Sequence, residues 1–355
     1  MRLLLLAFAC LFFACKKTEP TPVSPEKIPI KVVVLGMFEP GQDEADRPGE
    51  FQYWVERLPL NDTLPFAYGF DRPLRYNAEM GVLGMVTGIG NTQAGISVTA
   101  LGLDERFDFT NTYWLVAGIS GVDPEDAPTG SAAWAEWLID GDLSHEIDAR
   151  EMEKGWSTGY IPLRRTTPYE QPVLENSEGV VVRLDSQLVD WAYRLTKDIQ
   201  LTDNEEIRKM REQYKGYAAA EMEPFVLKGD QLASATYWHG KLLNDWANDW
   251  VEYWTGGQGN FVTSAMEEMG TYHALARLDR AGKVDKNRLL VLRTASNFTM
   301  QWPGISAYQS LAGEKLTGKG YSAYIPSLEA AYLVGSPVVH RLVRDWATYK
   351  DNLPQ

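Results

Sequence analysis

Met266-Glu267-Glu268 stands just ahead of an apolar helical segment, where a carboxylate can act in two ways. It can complement the helix dipole, as acids of a first turn commonly do. If buried, it can instead accept hydrogen bonds from two vicinal hydroxyls, the chemistry of gripping a sugar. Thr87-Gly88-Ile89-Gly90-Asn91-Thr92 puts a glycine turn between an apolar run and a helix, so its amides can meet an anion or a hydroxyl. Gly88, Asn91 and Thr92 are its candidates, although tight turns also need glycine for conformational reasons alone. Ala117-Gly118-Ile119-Ser120-Gly121 closes another apolar run with little side-chain bulk and offers Ser120. Thr294-Ala295-Ser296-Asn297 closes a fourth, where the Asn297 amide can both donate and accept, or simply form a turn.

These segments need strands to present them. Residues 30–35 form a β-branched run ending at Gly36, residues 81–87 a second and residues 113–117 a third followed by a glycine turn at 118–121, while residues 288–294 read as another strand. Continuous apolar runs of that length read as strands buried on both faces. A helix is expected over 92–101, others over 186–196, 204–217, 241–254 and 267–281, and a closing one over 327–350; residues 223–231 return to strand character. In the 241–254 helix, Trp246, Trp250, Tyr253 and Trp254 make an aromatic stripe that reads as core before ligand box. Strands ending in glycine turns that lead into helices predict an α/β fold with its sites at the carboxyl ends of the strands.

The chain has 355 residues, 45% apolar and 23% charged, a globular composition. Its 34 basic and 48 acidic residues leave a formal charge of −14, which would repel polyanions and argues against nucleic acid as a partner. The two cysteines, Cys10 and Cys15, both precede the body, so the body has no internal disulfide, thiolate zinc site or cysteine nucleophile. His145, His239, His273 and His340 match no metal-ligand spacing, and no metal or cofactor is expected.

Residues 1–14 read as a secretion leader, too short for the roughly 20 apolar residues that span a bilayer. Leu11-Phe12-Phe13-Ala14-Cys15 looks like a bacterial lipoprotein cleavage box, with Cys15 as the lipid-bearing residue, although Phe12 is larger than usual at its position. Residues 15–29 hold Pro20, Pro22, Pro25 and Pro29 and read as a tether, leaving 30–355 as a single domain.

In chain order the motifs resemble the purine nucleoside phosphorylase and nucleosidase superfamily. The likeness is strongest at Met266-Glu267-Glu268-Met269-Gly270-Thr271-Tyr272-His273-Ala274. It implies a nucleoside phosphorylase-like α/β fold, a mixed central sheet flanked by helices, with Met266 under a ribose and Glu267 on its hydroxyls. It also implies that Asn297 faces the purine and that Trp238, or second Tyr237, stacks on the base. The chain further resembles a narrower family of purine nucleoside permeases from about residue 31 onward. That likeness rests on Met37-Phe38-Glu39-Pro40, Gly88-Ile89-Gly90-Asn91-Thr92, residues 113–121, Tyr237-Trp238-His239-Gly240 and Arg293-Thr294-Ala295-Ser296-Asn297-Phe298.

The resemblance implies purine nucleosides as ligands and an uptake role at the bacterial envelope. Attachment there would be through a lipid on the periplasmic side, with an outer- or inner-membrane transporter as a partner and the oligomeric state open. The alternative is cleavage of the N-glycosidic bond, with hydrolysis ahead of phosphorolysis; an envelope scaffold is the least specific reading. Leu115-Val116 replaces the arginine that a phosphorylase uses on phosphate, although Arg47, Arg57 or Arg293 could supply a cation. Asn297 cannot act as a general acid but can hydrogen-bond a departing 6-oxopurine. Glu39 lies near the position of the water-activating glutamate in the hydrolytic branch.

Overall fold

The computed structural model describes residues 26–175, 179–316 and 321–355. The proposed leader, Cys15 and most of the proposed tether lie outside the described residues. Within the span expected as tether, Ile28–Pro29 pairs in parallel with Phe107–Asp108.

One large mixed sheet positions everything that follows. Val32–Gly36 and Val82–Val86 run parallel, and every residue of both is buried, as their unbroken apolar runs require. Leu74–Asn77 and then Asp62–Leu64 extend that side antiparallel. At the centre lies Tyr113–Val122, which continues as strand through the glycines expected to form a turn. Leu289–Phe298 pairs in parallel along its whole length, with an irregularity between Ala295 and Asn297. The opposite edge has two occupants: Val32–Gly36 pairs from Tyr113 to Val116, and Phe261–Ala265 pairs antiparallel at Gly121 and Val122. Between Val116 and Gly121 that edge passes from one partner strand to the other, and the sheet opens.

Helices cover the sheet. Asn91–Gly102 packs closely on Glu268–Arg280, where a side chain at Gly270 would run into the Asn91 carbonyl. Tyr324–Arg344 lies across Tyr113–Val122 and Leu289–Phe298. It begins three residues before the expected start, with Pro326 tolerated in its first turn, and stops at Arg344, after which Trp346–Tyr349 forms a separate turn of helix. The amphipathic 204–217 stretch is helical only over Glu205–Arg211. Residues 223–231 divide into Val226–Lys228 and Asp230–Ala233 at Gly229, where a β-carbon would strike Val262. The aromatic stripe of Lys241–Thr255 is core: Trp246, Trp250, Tyr253 and Trp254 are buried in one cluster with Trp238 and Phe261.

Candidate functional site

A cavity of about 420 Å³ opens where the central strand changes partners. Met37 and Phe38, just beyond the first strand, form one wall; Ile119 and Ser120 from the central strand form another. Met266 and Glu267 follow the end of Phe261–Ala265, and Asn297 ends the Leu289–Phe298 strand. Tyr237 and Trp238 approach from the segment after Asp230–Ala233.

The floor is a buried charge cluster centred on Arg293, which is 1% exposed. Its Nη2 donates to Glu267 Oε2 at 2.7 Å, its Nε donates to Glu268, and its Nη1 donates to the Ile119 carbonyl at 3.0 Å. A third carboxylate, Glu50, lies 3.8 Å from Nη1. Burial alone would depress the guanidinium pKa, but Glu268, Glu267 and Glu50 more than offset that and raise it. Glu50 accepts the Met37 and Ile119 amides, each at 2.7 Å. The strand switch thus provides the Ile119 donor. Burial pushes the Glu50 carboxyl up to about 8, against the lowering effect of Arg293 and those two amides. Gly118 faces this junction, where a β-carbon would sit 2.5 Å from Glu50 Oε1 and 2.6 Å from Arg293 Nη1. The glycine is required there by close approach, not by a turn.

Glu267 occupies the N-cap position of Glu268–Arg280 without capping it through its side chain. Its Oε1 accepts the Gly90 amide at 3.0 Å, and burial raises its pKa despite Arg293. The glycine turn therefore spends its amide on orienting the carboxylate. Gly88, Asn91 and Thr92 do not line the cavity: Gly88 has φ +85° under Phe70, and the Asn91 side chain accepts the Gly270 amide at 3.0 Å. Ile89 is the turn residue at the cavity wall.

Glu39 is also absent from the wall. Its carboxylate accepts the amides of Gly49, Phe51 and Gln52, folding the 39–52 loop around itself and carrying Glu50 inward. Arg57 stacks on Tyr53 and pairs with Glu329 outside the cavity, whereas Arg47 lies at the wall, 5.4 Å from the Tyr324 ring centroid.

At the aromatic side, Asn297 Nδ2 donates to the Tyr237 hydroxyl at 3.0 Å and to the Phe298 carbonyl at 3.1 Å. Ser296 Oγ donates to Asn297 Oδ1 at 2.8 Å, fixing the amide's orientation. Tyr237 lies parallel to Tyr321, with centroids 6.3 Å apart. Trp238 is 8% exposed and packs against Trp246 and Phe261, whereas Tyr237 is 40% exposed and presents the more accessible ring. Sequence reasoning missed Glu50 altogether and named Arg293 only as a spare cation. An arginine following Leu289-Leu290-Val291-Leu292 in a buried strand was the available signal.

A sequence model of a family described as purine nucleoside permease matches residues 29–354. A purine nucleoside permease of Candida albicans is 29% identical over 321 residues, covering 89% of this chain and 75% of that protein. A probable purine nucleoside permease of Schizosaccharomyces pombe is 28% identical over 278 residues, covering 76% and 78%. Among solved structures, a putative 5'-methylthioadenosine/S-adenosylhomocysteine nucleosidase from Francisella philomiragia matches with a TM-score of 0.50 at 12% identity, covering 87% of this chain and 98% of that one. The fold is therefore that of the nucleoside phosphorylases, a mixed central sheet flanked by helices.

Proposed function

Because this chain belongs to the purine nucleoside permease family, we propose that the cavity binds a purine nucleoside, with the ribose on Met266 and Glu267 and the base against Asn297, Tyr237 and Trp238. One observation carries the reading: a buried carboxylate held by a guanidinium and an amide with fixed orientation line the same cavity beside aromatic rings. Glu267 Oε1 accepts only the Gly90 amide among the described residues, while Oε2 accepts Arg293 Nη2 at 2.7 Å and the Met266 amide at 3.3 Å, so Oε1 keeps the larger capacity for a ribose hydroxyl. Asn297 Oδ1, already receiving Ser296, can accept a further donor from a 6-oxopurine. The test is to titrate the purified protein with inosine, guanosine and adenosine, with and without phosphate, following binding heat and free base together. Heat without base release supports binding and hand-over; absence of both overturns the reading.

Glu267→Ala is expected to weaken nucleoside binding tenfold or more while hardly changing free-base binding, since hydrogen bonds to a charged acceptor contribute roughly 1.5–3 kcal/mol each. Calorimetry with inosine and hypoxanthine side by side checks this, and equal loss for both would count against the sugar assignment.

Uptake is the role favoured here, with the protein held at the cell envelope by a lipid on Cys15. Among the described residues no helix is long and apolar enough to cross a membrane. Support for the anchor comes from the leader, the small Ala14 and the proline-rich segment. Cys15→Ser should move the protein out of the membrane fraction and abolish any lipid mass adduct; unchanged fractionation and an unlipidated wild type would refute the anchor.

A second reading, hydrolysis of the N-glycosidic bond, is favoured by Glu50. This carboxyl lines the cavity, unlike Glu39, and once ionised it can take a proton from water as the water oxygen bonds to the anomeric carbon. The glycosidic bond electrons leave with the base, which solvent then protonates. Phosphate is a poor nucleophile here because Glu50, Glu267 and Glu268 surround Arg293. Phosphate-dependent formation of ribose 1-phosphate in the titration above would exclude this reading.

A further inference from the structure

Trp137–Asp140 and Asp230–Ala233 run parallel, in register from Leu138 beside Gln231 to Asp140 beside Ala233, so the chains leaving them emerge side by side. The chain leaving the second strand carries Thr236, Tyr237 and Trp238 into the cavity wall. The chain leaving the first carries Asp142, which stays off that wall. The two exits are joined: the Gly141 amide donates to the Ala233 carbonyl at 2.8 Å. Glycine is needed at this join, since a β-carbon would sit 2.8 Å from the Leu232 side chain and 3.2 Å from that of Ser234.

The Asp142 carboxylate completes the join. Its Oδ1 accepts the Ser234 hydroxyl and its Oδ2 accepts the Ala235 amide, each at 2.7 Å. Ser234 Oγ in turn accepts the Thr236 amide at 3.2 Å, so one carboxylate governs, directly or through one hydroxyl, the three residues ahead of Tyr237. The corner that carries Asp142 is itself fixed, because Asp140 Oδ1 accepts the Asp142 and Leu143 amides at 2.7 and 3.0 Å. On its other side, Asn91 Nδ2 stands 3.4 Å from Asp142 Oδ2, while Asn91 Oδ1 accepts the Gly270 amide at 3.0 Å in the first turn of Glu268–Arg280. Asp142 therefore stands where the segment behind Glu267 meets the segment bearing Tyr237.

An ionised carboxylate only accepts, and bonds to it are shorter and stronger than bonds between neutral groups, so two of them at 2.7 Å clamp one short segment. Asp142 is exposed, and substitution of an exposed residue changes global stability little. What the clamp fixes is local. At the far end of the same segment, the Tyr237 hydroxyl accepts Asn297 Nδ2 at 3.0 Å, so the ring is tied from both directions. We propose that Asp142 is a positioning residue for base binding: its carboxylate holds residues 234–236 so that the Tyr237 ring faces the purine. The inference rests on the nucleoside reading and adds to it a residue outside the cavity.

The test titrates inosine and hypoxanthine into the full chain by calorimetry. The proteins are wild type, Tyr237→Ala, and Asp142→Ala and Asp142→Asn each alone and combined with Tyr237→Ala, with thermal melts alongside. Asp142→Ala is expected to weaken both ligands about fivefold or more, within the range of coupling between members of one hydrogen-bond network, while melting close to wild type. Loss for the free base as well as the nucleoside marks the base side, in contrast to Glu267→Ala. In the Tyr237→Ala background the same substitution should cost nothing further, because its effect passes through the ring. Asp142→Asn keeps one acceptor oxygen and should recover part of the loss, and it carries the test if Asp142→Ala fails to fold. Unchanged affinities in the Asp142 variants, or equal losses with and without the Tyr237 ring, overturn the proposal. So does a loss confined to inosine. If the wild type binds neither ligand, the nucleoside reading fails and this proposal fails with it; wild-type binding that the Asp142 variants leave intact overturns the proposal alone.

Discussion

Arg293→Met is expected to destabilise the protein by about 3–5 kcal/mol, the usual cost of removing one partner from a buried ion pair. The side chain neutralises Glu267 and Glu268 directly and faces Glu50, all inside the protein. Without it, desolvated carboxylates must either remain charged or take up protons. The deficit should therefore widen as pH rises and narrow in acid, because the folded variant would hold protons that the unfolded chain releases. Thermal melts of wild type and variant across mildly acidic to mildly alkaline pH check this, and a deficit independent of pH would show that lost packing dominates. Methionine preserves much of the side-chain volume, so the comparison bears chiefly on charge.

Much of the frame was legible because its signals are local. The runs at 32–36, 82–86 and 289–292 carry no polar or charged side chain, and such runs have few alternatives to a buried strand. Tyr113–Val122 misled at its far end: Gly118 and Gly121 look like a turn, yet the strand continues. At Gly118 the need for glycine comes from Met37, Glu50 and Arg293, which are distant in sequence, and a single chain read alone does not reveal such an approach.

The same limit explains why Glu50, and not Glu39, lines the cavity. Both lie on one loop, and their distance from the strand favours Glu39. Three amides from the returning chain enclose Glu39, and that closure turns Glu50 toward Ile119 and Arg293. Met266, Glu267 and Asn297 reach the cavity because they stand at or just beyond strand ends, where backbone direction already commits them to one side of the sheet. Gly88, Asn91 and Thr92 occupy a comparable end but stay off the cavity, since the Gly90 amide bonds Glu267 and the Asn91 side chain bonds Gly270, which hold that segment against Glu268–Arg280.

Glu50→Gln should change the pH dependence of stability more than its value in acid. In the folded protein Glu50 keeps its proton up to about pH 8, whereas its ordinary value is 4.5. Across that window the folded chain binds more protons than the unfolded chain, so this group lowers stability progressively as pH rises, and the loss is complete above the folded pKa. The shift corresponds to a penalty on the order of 5 kcal/mol. Glutamine cannot ionise and removes that slope. It also loses an acceptor for the Met37 or Ile119 amide, a roughly pH-independent cost of about 1–3 kcal/mol. The expected result is a variant less stable than wild type near pH 5 that draws level with it or overtakes it near pH 9, seen in denaturant melts at each pH. Parallel curves would mean that Glu50 is ionised throughout, held so by Arg293 and its two amides. If base release is observed, its rate should climb through about pH 8 as the Glu50 carboxylate forms and should be lost in Glu50→Gln. Base release that persists in the variant with an unchanged pH profile would place water activation on another group.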